Sequence, residues 1–227
     1  MGVYYSWVNM DRREFIQCGD FDDSRCKLYQ TIWYDCMGLR AFCTLLNKEW
    51  RGQRIIYLGD EWEPEGDHGN STVAQLIEEH RIWNQPGYLF DYVEENFHDI
   101  TPVFAETEDS LRSEIEYVLE AQKDERNPYR DYDPYHVDPK DPFHGLFERK
   151  LIDFRYVVNE TKGEFLDREK AQNSKGHLVN PLPLLLAYVP FEEEPFLGKW
   201  IGDSLWTTDE LPPGELKDMT DIYLVDF

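Results

Sequence analysis

Tyr4-Tyr5-Ser6-Trp7-Val8-Asn9 runs through Met10-Asp11-Arg12-Arg13 into Glu14-Phe15-Ile16. The same design returns 150 positions later as Phe154-Arg155-Tyr156-Val157-Val158-Asn159, Glu160-Thr161-Lys162-Gly163 and Glu164-Phe165-Leu166. An aromatic and β-branched run, a polar turn and a second short apolar run predict a β-hairpin in each copy. The offset pairs Val8 with Val158, Asn9 with Asn159, Glu14 with Glu164 and Phe15 with Phe165. Unrelated sequence of average composition would supply roughly one identity in such a window. Further on, the same offset pairs Trp50-x-Gly52 with Trp200-x-Gly202 and sets Ile55 against Leu205. Turn chemistry common to any two hairpins accounts for the Asn and Gly matches, but not for the distant Trp-x-Gly. Two copies are too few for a solenoid, so the reading is a pair of pseudo-symmetric halves.

The turn carries a sharp expectation. Gly163 stands where a short hairpin loop needs a positive φ, which glycine adopts without a Cβ clash. Arg13 holds the matching place in the first copy, where a left-handed backbone costs about 1 kcal/mol. Either Arg13 is left-handed or its loop has rearranged.

Hairpin, helix and strand make up each unit. Leu39, Phe42, Cys43, Leu46 and Trp50 fall at helical spacing on one face, and Arg54 to Gly59 reads as a short buried strand. The first unit spans 1–62. The second spans 151–227, with a short helix entered at Asn180-Pro181, a strand after Gly202 and a last apolar strand from Ile222 to Phe227. The stretch 63–150 has no counterpart under the offset. Within it Thr72 and Gln75 suggest a capping box, and Leu111, Ile115, Val118 and Leu119 an amphipathic helix. From Asp124 to Gly145 it becomes rich in Asp, Tyr and Pro, which precludes a long helix or a central strand. The fold expected is α+β, with mainly antiparallel sheet, two pseudo-symmetric hairpin-helix-strand units and an acidic, partly helical insert.

The 227 residues suffice for one large domain or two small ones. With 15% aromatics the chain is not an acidic disordered tail, despite a formal charge of -23. That charge argues against nucleic acid and against anionic membrane surfaces as partners, since phosphates are repelled. It is also uneven: residues 60–149 hold 24 acids and 7 bases, a net -17. Even solubilisation of a surface does not require such localisation. No run approaches the length of a membrane helix.

Cys18, Cys26, Cys36 and Cys43 match no paired-cysteine zinc spacing, and no histidine lies near them in sequence. With no recognisable signal segment ahead of them, they read as free, mostly buried thiols in a reducing cytoplasm.

The opening Gly2-x-Tyr4-Tyr5-x-Trp7-Val8-Asn9-x-Asp11, together with Glu49-Trp50-x-Gly52, Leu58-Gly59-Asp60 and Pro181-Leu182-Pro183-Leu184-Leu185-Leu186, resembles a group of uncharacterised, mostly bacterial proteins. The resemblance covers both units and not the Asp/Pro-rich loop. It implies no activity.

Catalytic signatures are missing: there is no Gly-x-Ser-x-Gly elbow, Walker loop, His-Glu-x-x-His or dinucleotide fingerprint. With 46 acids, carboxylate pairs arise by chance and say little about glycosidase chemistry. Gly66-Asp67-His68-Gly69-Asn70-Ser71-Thr72 could offer amides to an anion, but Glu61, Glu63, Glu65 and Asp67 crowd it with negative charge, so a plain turn and helix cap is preferred. Asp131, Asp133, His136, Asp138, Asp141 and His144 do not follow the calcium-loop order, and the prolines hold several of them apart. No metal and no cofactor are therefore expected. The Trp-x-Gly pairs read as structural, the indole filling space between helix and sheet.

What remains is recognition. Tyr129, Tyr132 and Tyr135 alternate with Asp131, Asp133, Asp138 and Asp141, so rigid aromatic area is combined with charge that steers a basic partner. These seven residues are the expected partner-binding set, weighed against a solvated loop whose tyrosines pack back on the body. The leading expectation is a non-enzymatic acidic protein-binding module in the cytoplasm, such as a bacterial immunity or antitoxin protein that neutralises a basic toxin. The rival is a hydrolase-type enzyme with its site in a cleft between the two units.

Overall fold

The computed structural model describes residues 3–21, 24–33, 36–61, 89–104, 154–189 and 196–221. In chain order the elements are β1 (Tyr5–Asn9), β2 (Glu14–Gln17), α1 (Met37–Asn47), β3 (Ile55–Gly59), α2 (Leu89–Asn96), β4 (His98–Asp99), β5 (Tyr156–Asn159), β6 (Glu164–Asp167), α3 (Leu182–Leu186), β7 (Ala187–Tyr188), β8 (Leu205–Thr208) and β9 (Lys217–Asp218). Short 3-10 turns follow β2 at Cys18–Asp20 and β4 at Thr101–Phe104. The fold is α+β.

Both predicted hairpins form, in matching register. Asn9 faces Glu14 and Trp7 faces Ile16, as Asn159 faces Glu164 and Val157 faces Leu166. β3 lies antiparallel on the far side of β1, as β8 does on β5. The correspondence continues into a fourth strand, since β4 runs parallel to β2 as β9 runs parallel to β6. One sheet therefore has the order β4-β2-β1-β3-β7 and the other β8-β5-β6-β9. The fourth strand of the first unit lies at 98–99, within the stretch that the sequence comparison left unmatched. A longer connection after β3 changes the offset from 150 to 119, and a two-residue strand has no period by which to recognise it.

The expected backbone conformation at the turn is present. Arg13 has φ 55° and Gly163 φ 64°. The loop has not rearranged, so Arg13 carries a left-handed backbone.

α1 forms where the apolar spacing predicted, with Leu39, Phe42, Cys43 and Leu46 buried. It ends as the Leu45 carbonyl accepts the N–H groups of Lys48 at 3.0 Å and Trp50 at 2.8 Å. α3 is its shorter counterpart. Asn180 Oδ1 accepts the Leu182 N–H at 3.0 Å, and Pro183 falls in the first turn, where its missing N–H loses no helical bond. Here Leu184 and Leu185 accept from Gly198 and Trp200. Trp50 follows Leu45 by five residues, but Trp200 follows Leu185 by fifteen. Part of the added chain is β7, which joins the first unit's sheet by pairing in parallel with β3, Ala187 beside Tyr57.

The units meet across an approximate two-fold relation. The Gly52 N–H donates to the Leu205 carbonyl at 2.7 Å, and the Gly202 N–H to that of Ile55 at 3.2 Å. Between them Arg54 and Ser204 form an antiparallel bridge. Each unit thus lends the other the same contact, the signature of a self-complementary interface. Trp7, Ile16, Trp50, Ile55, Tyr57, Val157, Leu166, Trp200 and Leu205 share one core. Fully burying each large apolar side chain contributes about 1.5–3 kcal/mol, so this shared layer dominates the favourable side. The volume is unequally divided. In the first unit Phe42, Trp7 and Tyr57 stack with centroids 3.9 Å apart, and Tyr5 follows at 4.9 Å. The positions matching Trp7, Tyr57 and Tyr5 hold Val157, Thr207 and Arg155. On the outer face of the first sheet, Val8, Phe15, Ile56 and Leu58 pack under Leu89, Tyr92 and Val93 of α2 and under Phe97.

The turn makes a quantitative prediction. Gly163→Ala should cost about 1 kcal/mol in urea unfolding, through backbone strain. An added Cβ would meet nothing closer than Leu216 Cδ2 at 3.9 Å, so no steric clash contributes. An unchanged midpoint would mean that the turn does not need its left-handed residue.

Candidate functional site

The most developed polar constellation among the described residues is built twice, at the two hairpin turns. Asn9 is fully buried, and its Oδ1 accepts the N–H groups of Asp11 at 3.1 Å and Arg12 at 3.0 Å. Asn159 is equally buried, and its Oδ1 accepts the Lys162 N–H at 3.0 Å. An asparagine closing its own turn in this way replaces main-chain bonds that a tight loop cannot make. Opposite each asparagine stands a glutamate that accepts an indole N–H. Trp50 Nε1 donates to Glu14 Oε2 and Trp200 Nε1 to Glu164 Oε2, both at 2.9 Å. The bonds span 36 residues in each unit. They satisfy the one polar atom of a tryptophan otherwise sealed in the core.

A third repeated device pins the fourth strand. Asp99 Oδ1 accepts from the N–H and hydroxyl of Thr101, whose Oγ1 accepts the Gln17 N–H at 2.9 Å. In the second unit Asp218, Thr220 and the Asp167 N–H repeat this arrangement, with a final distance of 2.8 Å.

Glu14 also receives Arg12 Nε at 2.8 Å and Nη2 at 3.0 Å. These hydrogen bonds hold its pKa below the usual glutamate value against the opposing effect of burial, and the Trp50 indole adds to them. Such a carboxylate is a fixed acceptor, unsuited to exchanging protons near neutral pH.

The copies diverge at three places. Asp203 Oδ2 accepts Asn159 Nδ2 at 2.8 Å and the Lys162 ammonium. Its counterpart is Gln53, and the buried Asn9 Nδ2 has no hydrogen-bond partner among the described residues. Near the two-fold relation, Asp11 accepts from the main chain and side chain of Arg54, whereas Thr161 Oγ1 accepts the Ser204 N–H. Asp167, a buried side chain, accepts Arg155 Nε at 3.1 Å and Nη2 at 2.9 Å, and pairs with Lys170 at 3.1 Å. Burial works against this carboxylate, but the bonds from Arg155 and then Lys170 outweigh it and hold its pKa below the ordinary aspartate value. The matching Gln17 instead donates from Nε2 to Glu94 of α2 at 3.2 Å.

The residues expected to bind a partner, Tyr129, Asp131, Tyr132, Asp133, Tyr135, Asp138 and Asp141, lie outside the described residues. So do His136, His144, the Gly66–Thr72 turn and the strand expected at 222–227. The Trp-x-Gly pairs are structural, with both indoles buried and Gly52 and Gly202 at φ 72° and 75°. The four cysteines form no disulfide with one another; Cys26 is half-buried and the others are buried. Tyr57 donates to Cys18 Sγ at 3.7 Å, and burial pushes its phenol pKa well up. Among the described residues no three His, Cys, Asp or Glu side chains converge to hold a metal, and no helix is long and apolar enough to cross a membrane. Sequence reasoning missed the roles of Glu14 and Glu164 as indole acceptors. Their identity under the offset was the available signal.

Two measurements test these assignments. Gln53→Asp should stabilise the chain by about 1 kcal/mol by giving the buried Asn9 amide an acceptor. In an Asn9→Asp background, which removes that donor and adds a like charge, the same change should destabilise; a double-mutant cycle reads the difference. Asp167 makes a prediction about acid. Its pKa is lowered on folding, so its contribution is complete above the unfolded value and is lost as pH falls through the folded one. Asp167→Asn should therefore lower stability at pH 7 yet flatten the loss below about pH 4, measured by urea unfolding at both pH values.

No protein family, no curated protein and no solved structure matches this chain.

Proposed function

We propose that the protein is a non-enzymatic, acidic binding module that engages a basic protein in the cytoplasm. Its concrete form would be an immunity or antitoxin protein neutralising a cationic toxin. The observation that carries this reading is the placement of charge: residues 60–149 account for -17 of the -23 total. In the described part of that stretch, Asp91, Glu94 and Glu95 of α2 are exposed. Partial burial raises the pKa of Glu94, and then Asp91 does so, with Asp20 and Asp99 adding to the effect. Asp91, Asp20 and Asp99 thus act on Glu94 as like charges, an effect that a cationic partner would relieve. The carboxylates of the twin turns, by contrast, are occupied in holding the fold.

Asp131, Asp133, Asp138 and Asp141 are assigned to steering, and Tyr129, Tyr132 and Tyr135 to contact. Changing the four aspartates together to Asn should slow association by at least about tenfold at low salt and leave dissociation nearly unchanged. The difference should shrink as salt rises, because the Debye length falls from about 10 Å at 0.1 M to about 3 Å at 1 M. Tyr132→Ala or Tyr135→Ala should instead speed dissociation, by about 2 kcal/mol for an anchor residue. The partner is first captured from the native host and its kinetics then measured at two salt concentrations. Association indifferent to both salt and the Asn changes would remove the charge argument. Turnover of a small molecule without any protein partner would favour a hydrolase acting between the units.

A further inference from the structure

Arg13 holds a left-handed backbone that its twin achieves with glycine. Strain of this kind persists where the surrounding contacts over-determine it. The Arg13 carbonyl accepts the His98 N–H at 2.8 Å, a bond that Gly163 repeats with Lys217. That bond needs no side chain, so it does not explain an arginine. The side chain does something that has no counterpart in the second unit. Its Nη2 donates to the Tyr92 hydroxyl at 3.3 Å, and its guanidinium lies 5.6 Å from the centre of the Phe97 ring. Tyr92 and Phe97 themselves meet edge to face at 6.2 Å. Tyr92 belongs to α2, and Phe97 is the single residue between α2 and β4.

We infer that Arg13 is a clasp which couples the first hairpin turn to α2 and sets how often that helix opens from the sheet. Three apolar residues of α2, Leu89, Tyr92 and Val93, are buried against the sheet, Phe90 packs half-buried beside them, and Asp91, Glu94, Glu95 and Asn96 are exposed. Short helices with a narrow apolar face open locally at low cost. A planar guanidinium spanning an aromatic ring and a hydroxyl adds a contact that opening must break. The clasp also holds Asp91, Glu94 and Glu95 in fixed relation to Asp20, although the inference does not depend on what those acids bind.

Hydrogen exchange by mass spectrometry on the intact chain provides the test. Arg13→Asn tolerates the left-handed backbone while deleting the guanidinium, and Arg13→Gly also relieves the strain. Both should raise exchange across residues 89–99 by about fivefold, with β1 and α1 unchanged. Gly163→Ala, remote from α2, should leave 89–99 as in the parent chain. Three results would overturn the clasp: unaltered exchange at 89–99 in both Arg13 variants, an equal rise throughout the molecule, or a rise in the glycine variant alone. The last would trace the effect to turn flexibility instead of the side chain.

Discussion

Two main-chain hydrogen bonds, Gly52 to Leu205 and Gly202 to Ile55, fix the relation between the halves. Each joins the turn after a buried tryptophan to the first residue of the other unit's third strand. Both glycines have positive φ, so the donor N–H can point out of its own turn and across the interface. With these contacts made, the inner faces of the two sheets are brought onto one core, and Trp50 and Trp200 are sealed within it. Their indole N–H groups must then find acceptors, since an unpaired buried donor costs about 1–3 kcal/mol. Glu14 and Glu164, at the starts of the second strands, supply them. The repeated Asn, Glu and Trp-x-Gly are thus parts of one constraint.

Within that symmetric frame the side chains have separated. The first unit is aromatic, with Tyr5, Trp7, Phe42 and Tyr57 stacked, and its exposed turn reaches α2. The second unit is ionic, with Asp167 holding Arg155 and Lys170 and with Asp203 joining Asn159 to Lys162. A shared core permits this, because packing requires the total volume to fit and not that each half supply an equal part. In each ionic contact the carboxylate is buried while Arg155, Lys170 or Lys162 keeps access to water, so only one member of the pair is fully desolvated.

The parts of this fold that could be read in the sequence were those with a period or an identity. β1, β2, β5 and β6 announced themselves by aromatic and β-branched runs either side of a polar turn and by their identities under the offset, α1 by its stripe of Leu39, Phe42, Cys43 and Leu46, and the turn by Gly163. β4 and β9 were not legible, because two residues make no pattern and their spacing from the hairpins differs between copies. The link from Glu14 to Trp50 was marked only by both residues recurring under the offset: hydrogen bonds between residues 36 apart depend on how strands and helices close, which no local signal states. The expected binding residues were chosen from composition, a property that predicts charge and contact area but not position.

The strand β7 alters what the two units mean as physical objects. It belongs by sequence to the second unit, yet it covers Tyr57 and Leu58 at the edge of the first sheet. An uncovered run of buried β-branched and aromatic residues with free main-chain groups is a template for pairing with other chains. The second half of the chain therefore acts as an edge guard for the first. During synthesis the first sheet's edge emerges well before its cover, and the interval between the two is the period in which the nascent chain is most exposed to self-association.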